Sequence, residues 1–398
     1  MPRSWPRVER PGVPVAESGR GQVIELPVRR AGGGRPVRRP VLLGTVVALC
    51  LLGLIMVLSA SSVDSVRARG DAWSVSIRQA LWVAAGLAAL LATSAVDYSF
   101  WRRLVNPLLI ASIALLVLVL VPGIGITAGG STRWLGIGGF RFQPSELAKL
   151  ALLLFGADLL ARRQYQIANS KASLRPVLIV TGILSLLILL QPDMGTALIL
   201  VVISLTLLFV SGIPMRPLVG LGVATMVFAM VVAVVSPYRR ARLVSYLDPF
   251  ADATGGGYQV AQSLVALGTG SFKGIGFGAS RAKWGFLPNA HTDFIFAIIG
   301  EELGLAGTLL VVVAFAVIAI IGFGAAMKAT DRFGALLAAG ITAWIVGQAL
   351  LNMGAVTGAL PVTGVPLPFV SFGGSAMVVT LAAVGILRSI LRAREVKC

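Results

Sequence analysis

Ten apolar runs limit this chain more than anything else in it: residues 41–60, 79–96, 104–121, 146–160, 176–190, 194–213, 217–236, 292–326, 333–355 and 367–387. The first holds twenty residues without a charge, enough to span the ~30 Å of a bilayer's hydrocarbon. The run at 146–160 is the weakest, because it is short and carries Glu146, Lys149 and Asp158. The run at 292–326 exceeds one span, so it is expected to tilt or to project from the bilayer. Composition agrees: 57% of residues are hydrophobic, 13% are charged, and mean hydropathy is +0.89. An ordinary soluble enzyme, a disordered protein and a nucleic-acid-binding domain are thereby excluded.

The net charge of +18 could suggest a nucleic-acid partner. Its Arg and Lys residues, however, lie mostly between the apolar runs, as residues that fix topology do. With a cytoplasmic N-terminus, 22 Lys and Arg fall inside and 11 outside, nine of the inner ones in residues 1–40. That opening segment has no hydrophobic period and reads as a disordered basic cytoplasmic tail. The expected fold is all-α: a polytopic integral membrane protein with about ten transmembrane helices and both termini inside. Residues 41–391 form the membrane domain, 392–398 form a short cytoplasmic tail, and a long outer loop, 237–291, joins helices 7 and 8. Cys50 and Cys398 provide no disulfide framework, and one histidine cannot make a multi-histidine metal site. A carboxylate-held divalent cation, magnesium or manganese, remains compatible. The Gly-rich stretch 268–278 (GTGSFKGIGFG) fits neither a Walker loop nor GxGxxG.

Charges inside or at the mouth of a span are costly and are candidates for function. In 133–149 (RWLGIGGFRFQPSELAK), Pro144 suits a first helical turn and Glu146 complements the helix dipole. Glu146 and Lys149, three apart, lie on one face and can pair, either structurally or for chemistry. In Gln191-Pro192-Asp193, Asp193 is expected chiefly to cap the next helix. The outer loop carries Arg239, Arg240, Arg242, Lys273, Arg281 and Lys283: a solvated face, or an anion site on the side where basic residues should be few. His291-Thr292-Asp293 stands where that loop meets the next span, with Glu301 and Glu302 beyond. Capping by Thr292 or Asp293 competes there with a general-base role for Asp293, whose pKa partial burial would raise. Gly300, Gly304 and Gly307 are expected to permit close helix packing. These groups and the loop 360–375 (LPVTGVPLPFVSFGGS), with Ser371, fall at the outer face.

The stretches 133–149, 191–196 (QPDMGT), 258–278, 284–304 (WGFLPNAHTDFIFAIIGEELG) and 360–375 together resemble the SEDS family of cell-wall glycosyltransferases (shape, elongation, division and sporulation). The resemblance covers about residues 41–390. The wording IIGEELG is similar to the division members, while Phe372 and Asn289 stand where the family often has Tyr and Glu. The resemblance implies polymerisation of lipid II into β-1,4 glycan strands at the outer face of the bacterial cytoplasmic membrane, at the division septum. The 4-hydroxyl of one lipid II would attack the anomeric carbon of the undecaprenyl-linked nascent glycan, releasing undecaprenyl pyrophosphate. Asp293 would be the essential aspartate and general base, with Glu146 and Lys149 the matching charged pair. Arg133, Arg141, Asp193, Lys273, Arg281, Lys283, His291, Thr292, Glu301 and Ser371 would bind the substrate or pyrophosphate or support the site. A class B penicillin-binding protein and other divisome proteins would be partners, and nucleic acid would not. A lipid II flippase and a non-catalytic division scaffold are the competing readings.

Overall fold

The computed structural model describes residues 38–128, 131–137, 140–163, 170–235, 246, 248–251, 255 and 257–397. The expected disordered tail therefore lies outside the described residues up to position 37, as do Arg239, Arg240 and Arg242. Each apolar run falls on a helix: α1 Arg38–Arg69, α2 Ser74–Ala95, α3 Val105–Leu120, α4 Pro144–Arg162, α5 Ser170–Leu189, α6 Met194–Val210 and α7 Met215–Val235. A short helix within the long loop expected to lie outside, α8 Tyr258–Gly270, is followed by α9 Ile295–Met327, α10 Arg332–Val356 and α11 Ser375–Lys397. Among the described residues, six helical segments are long and apolar enough to cross a membrane, and the apolar stretches of α5, α6 and α7 are shorter. This is a multi-pass membrane protein.

The chain is not purely helical. Between α3 and α4 it folds into three antiparallel strands, β1 Gly125–Ala128, β2 Ser131–Ile137 and β3 Phe140–Phe142, ordered β1-β2-β3. Leu135 of β2 faces Gly125 on one side and Phe142 on the other. Their closely spaced Gly and β-branched residues suit hairpins outside a bilayer; a reading by apolar runs passes over so short a sheet.

Side-chain contacts sort the connections to two ends of the bundle. At one end, Tyr98 of the α2–α3 connection donates to Asp331 Oδ1 at 2.6 Å, and Arg332 donates to the Ser211 carbonyl at 2.6 Å. Arg102 pairs there with Asp158 at 3.4 Å and stacks over the Phe333 ring. At the other end meet the sheet, the α5–α6 connection, the outer loop and the loop 357–374. α4 lies deep inside, packed by α3, α6 and α10. Fifteen of its 19 residues are buried, which explains how a helix with so few lipid-facing positions tolerates four charges.

Two apolar runs depart from continuous helix. α9 is broken at Gly304, where φ is 65° and ψ −159°, leaving a half-helix 295–303 directly before the long second part. A Cβ on Gly304 would stand 2.4 Å from Gly274 N and 2.6 Å from Phe272 O. Gly304 is therefore a required backbone break rather than a packing glycine; Gly300, whose Cβ would meet Leu267 Cδ2 at 2.4 Å, does serve close packing. Gly304→Ala adds left-handed strain of ~1–2 kcal/mol and a clash with immobile backbone. We expect a clearly lowered melting temperature in detergent, and an unchanged one would contradict the break. The last run begins as non-helical chain and becomes helix only at Ser375. Its apolar start is buried in protein, with Leu367 1%, Phe369 2% and Val370 0% exposed. Irregular backbone is tolerated in a membrane protein only when so enclosed.

Candidate active site

Asp293 is half-buried, two residues before α9 begins. The cap position is Phe294, whose side chain makes no capping bond. Neither Thr292 nor Asp293 stands at the cap, and the Thr292 hydroxyl turns back to donate to Asn289 O at 3.2 Å. The Asp293 carbonyl accepts from Asn352 Nδ2 at 2.7 Å, and the same amide donates to Val365 O at 2.8 Å. One side chain of α10 thus fixes both Asp293 and the loop 357–374.

One turn earlier on α10, Gln348 Nε2 donates to Pro366 O at 2.9 Å. Gln348 Oε1 accepts from Lys149 Nζ and from Trp344 Nε1, each at 3.0 Å. Lys149 Nζ lies 2.9 Å from Glu146 Oε2 and 4.9 Å from the Trp344 ring centre. Lys149 is 1% and Glu146 2% exposed. The predicted i,i+3 contact forms, and a ladder of polar groups runs from α4 through Gln348 and Asn352 to Asp293. Sequence reasoning passed over both amides, single polar residues in an apolar run. The available signal was their spacing: residues 344, 348 and 352 share one face of a helix.

The remaining candidates divide. Asp193 caps α6, accepting from Thr196 N at 3.1 Å and Thr196 Oγ1 at 2.9 Å, and it also accepts from Gln143 at 3.1 Å. Arg133 Nε donates to Gln191 O at 3.1 Å, a second nitrogen donates to Pro192 O, and its guanidinium lies 3.8 Å from Asp193. It therefore ties the sheet to the α5–α6 connection. Ser371 is buried, its Oγ accepting from Leu367 N at 2.9 Å and its carbonyl from Gln79 Nε2 at 3.2 Å. Arg141, Lys273 and Arg281 are exposed. Lys283 departs from the expectation of a solvated or anion-facing surface: it is 7% exposed, and its ammonium lies 3.7 Å from Glu302 and 3.2 Å from Ser59 Oγ. A charge in a loop sequence looks solvated; here the loop folds inward over a buried carboxylate. Glu301 is buried too, accepting from the Arg281 and Ala282 amides at 3.0 and 3.4 Å.

His291 packs edge-on to Phe372, ring centres 6.0 Å apart, and its carbonyl accepts from Phe372 N at 3.0 Å. Burial pulls its pKa below 6.5, with Asp64 opposing. Because the folded pKa is depressed, its stabilising contribution is present above 6.5 and fades as pH falls below that value. His291→Gln should therefore flatten the loss of melting temperature on mild acidification; an unaltered slope would contradict the burial account. Among the described residues no three His, Cys, Asp or Glu side chains converge as a metal cage requires.

Fold and site together define a multi-pass membrane protein with a carboxylate-centred polar site at one end of its helix bundle, braced by a buried ion pair. Residues 40–396 match the FtsW/RodA/SpoVE family of cell cycle proteins, and the chain belongs to that family. It is 40% identical over 350 residues, 88% of this chain and 93% of the relative, to the probable peptidoglycan glycosyltransferase FtsW of Geobacter metallireducens. It is 40% identical to the stage V sporulation protein E of Bacillus subtilis over 355 residues, 89% of this chain and 97% of that one. Among solved structures it resembles, at 30% identity and a TM-score of 0.72, a chain from work described as "Structural coordination of polymerization and crosslinking by a peptidoglycan synthase complex", covering 89% of this chain and 97% of that one. The rod shape determining protein RodA of Thermus thermophilus matches at 27% identity and a TM-score of 0.64, covering 89% and 96%.

Proposed function

We propose that this protein is a peptidoglycan glycosyltransferase that polymerises lipid II, with Asp293 as general base. The observation that carries the reading is the placement of Asp293: a half-buried carboxylate, fixed through its carbonyl by Asn352, in a chain 40% identical to a probable peptidoglycan glycosyltransferase. A hydroxyl nucleophile needs a proton acceptor within hydrogen-bond reach, and a half-buried carboxylate at a helix start supplies one. The Asp293 carboxylate takes the proton from the 4-hydroxyl of the incoming lipid II as that oxygen bonds to the anomeric carbon of the nascent glycan. The bond from that carbon to the pyrophosphate oxygen breaks, and undecaprenyl pyrophosphate leaves with its electron pair. Attack from the face opposite the leaving group gives the β-1,4 linkage. Arg141, Lys273 and Arg281 are exposed cations at this end of the bundle, typed to meet pyrophosphate. A magnesium or manganese ion fits the residues present only as a guest of the phosphates, with few protein ligands, as magnesium commonly binds.

The reading includes ten spans with both termini in the cytoplasm, residues 1–40 as a cytoplasmic tail, and a septal role in the bacterial cytoplasmic membrane. It also includes a class B penicillin-binding protein as partner, in keeping with the relative solved within a peptidoglycan synthase complex, and other divisome proteins. The test is purified protein with lipid II in detergent or vesicles. Glycan strands must form with wild type. Movement of lipid II across vesicles without strand growth would favour a transporter, and neither activity would favour a scaffold.

A further inference from the structure

The break at Gly304 takes α9 off a regular course after residue 303, and the half-helix 295–303 starts beside Asp293. Its far end is gripped by the outer loop. Ile275 N donates to Glu301 O at 3.0 Å, Gly276 N to Glu302 O at 3.1 Å, and Leu305 N to Ser271 O at 2.9 Å. Side chains complete the grip. Glu301 accepts from Ser280 Oγ and the two following loop amides. Glu302 Oε1 accepts from Ser59 Oγ of α1 at 2.6 Å and from Ser280 N at 3.3 Å, and faces Lys283. Glu302 is 1% exposed, so its charge is tolerated only because Lys283 and these donors surround it. Lys283 in turn donates to Ser59 Oγ and to Gly278 O, so it has no reach left for solvent or substrate.

We propose that Lys283 and Glu302, with Ser59, are positioning residues that set the stance of Asp293. They pin the far end of the half-helix to α1, so that a shift there moves the aspartate at its start. The inference rests on Asp293 being the base. Lengthwise, a helix is stiff, and its two ends cannot move independently over so few residues. A base displaced by ~1 Å can cost ~10²-fold in rate with substrate binding intact.

The experiment compares wild type, Lys283→Met, Lys283→Met/Glu302→Gln and Ser59→Ala in steady-state polymerisation of lipid II, with melting temperatures on the same preparations. Lys283→Met leaves Glu302 with an uncompensated buried charge; we expect kcat to fall ~10-fold to ~10²-fold with KM for lipid II little changed. The neutral double variant should recover most of that loss. A raised KM at constant kcat would make Lys283 a substrate contact and overturn the proposal. A well-folded double variant as inactive as the single one would do the same. Should Lys283→Met fail to fold, Ser59→Ala decides, since it trims one bond from Glu302 and keeps both charges: a lowered kcat at normal melting temperature supports positioning, and unchanged kinetics refute it. Asp293→Asn is run alongside. Activity in that variant would remove the base reading itself, whereas its inactivity together with normal Lys283 and Ser59 variants would remove only the positioning.

Discussion

Asp293→Asn should abolish glycan polymerisation while leaving expression, melting temperature and lipid II binding close to wild type. The substitution keeps the size of the side chain and leaves the backbone carbonyl free to accept from Asn352, a bond of 2.7 Å. What is lost is the proton acceptor, and general-base catalysis typically contributes ~10²–10⁴-fold. Strand formation measured by gel against time, with binding measured separately, isolates that loss. A folded Asp293→Asn protein polymerising at near wild-type rate would refute the assignment. Asn352→Ala, which frees the aspartate's backbone without touching its carboxylate, should show a smaller fall in kcat.

The second large effect concerns Lys149. With Glu146 Oε2 at 2.9 Å, Gln348 Oε1 at 3.0 Å and 1% exposure, its ammonium is spent inside the bundle. Lys149→Ala strands the Glu146 charge in a protein interior, a change that costs ~3–5 kcal/mol. Removing both partners in Glu146→Ala/Lys149→Ala spares that lone charge, so stability should recover much of the way. Activity then separates two roles on the same proteins. If the pair braces Gln348 and the loop 357–374, activity follows stability in part; if Lys149 contacts pyrophosphate, the double variant stays inactive although stable. Equal melting temperatures in all three proteins would contradict the brace.

Charge was legible in the sequence where it interrupted an apolar run, which is why Asp293, Glu146 and Lys149 could be singled out before any geometry. Asp193 was legible as a cap for the same local reason: a short-range bond to Thr196 needs only helix geometry. Gln348 and Asn352 were not, because an uncharged amide barely lowers the hydropathy of its run, and only the partner loop reveals its use. Gly304 looked like one more small residue on a helix face, since nothing in an uninterrupted apolar stretch signals a positive φ. Lys283 misled because long-range burial decides whether a loop cation is wet, and that is settled by where α1 and α9 stand. The start of the last run shows the same limit: its Pro and Gly residues announced a break, but not that the broken part would be enclosed.

The burial of α4 bears on how the protein is made. The helix carries Glu146, Lys149, Asp158 and Arg162 within 19 residues, and an Asp, Lys or Arg at the middle of an isolated segment costs up to ~2.5–3.5 kcal/mol to insert. Lipid alone is a poor solvent for such a segment. Beyond the pairs within α4 itself, its charges find partners on residues translated both before and long after it: Arg102 upstream, Gln348 and the Trp344 ring far downstream. Lys149 gains its last polar partner only from α10, so the interior around α4 is complete only when that late helix is in place.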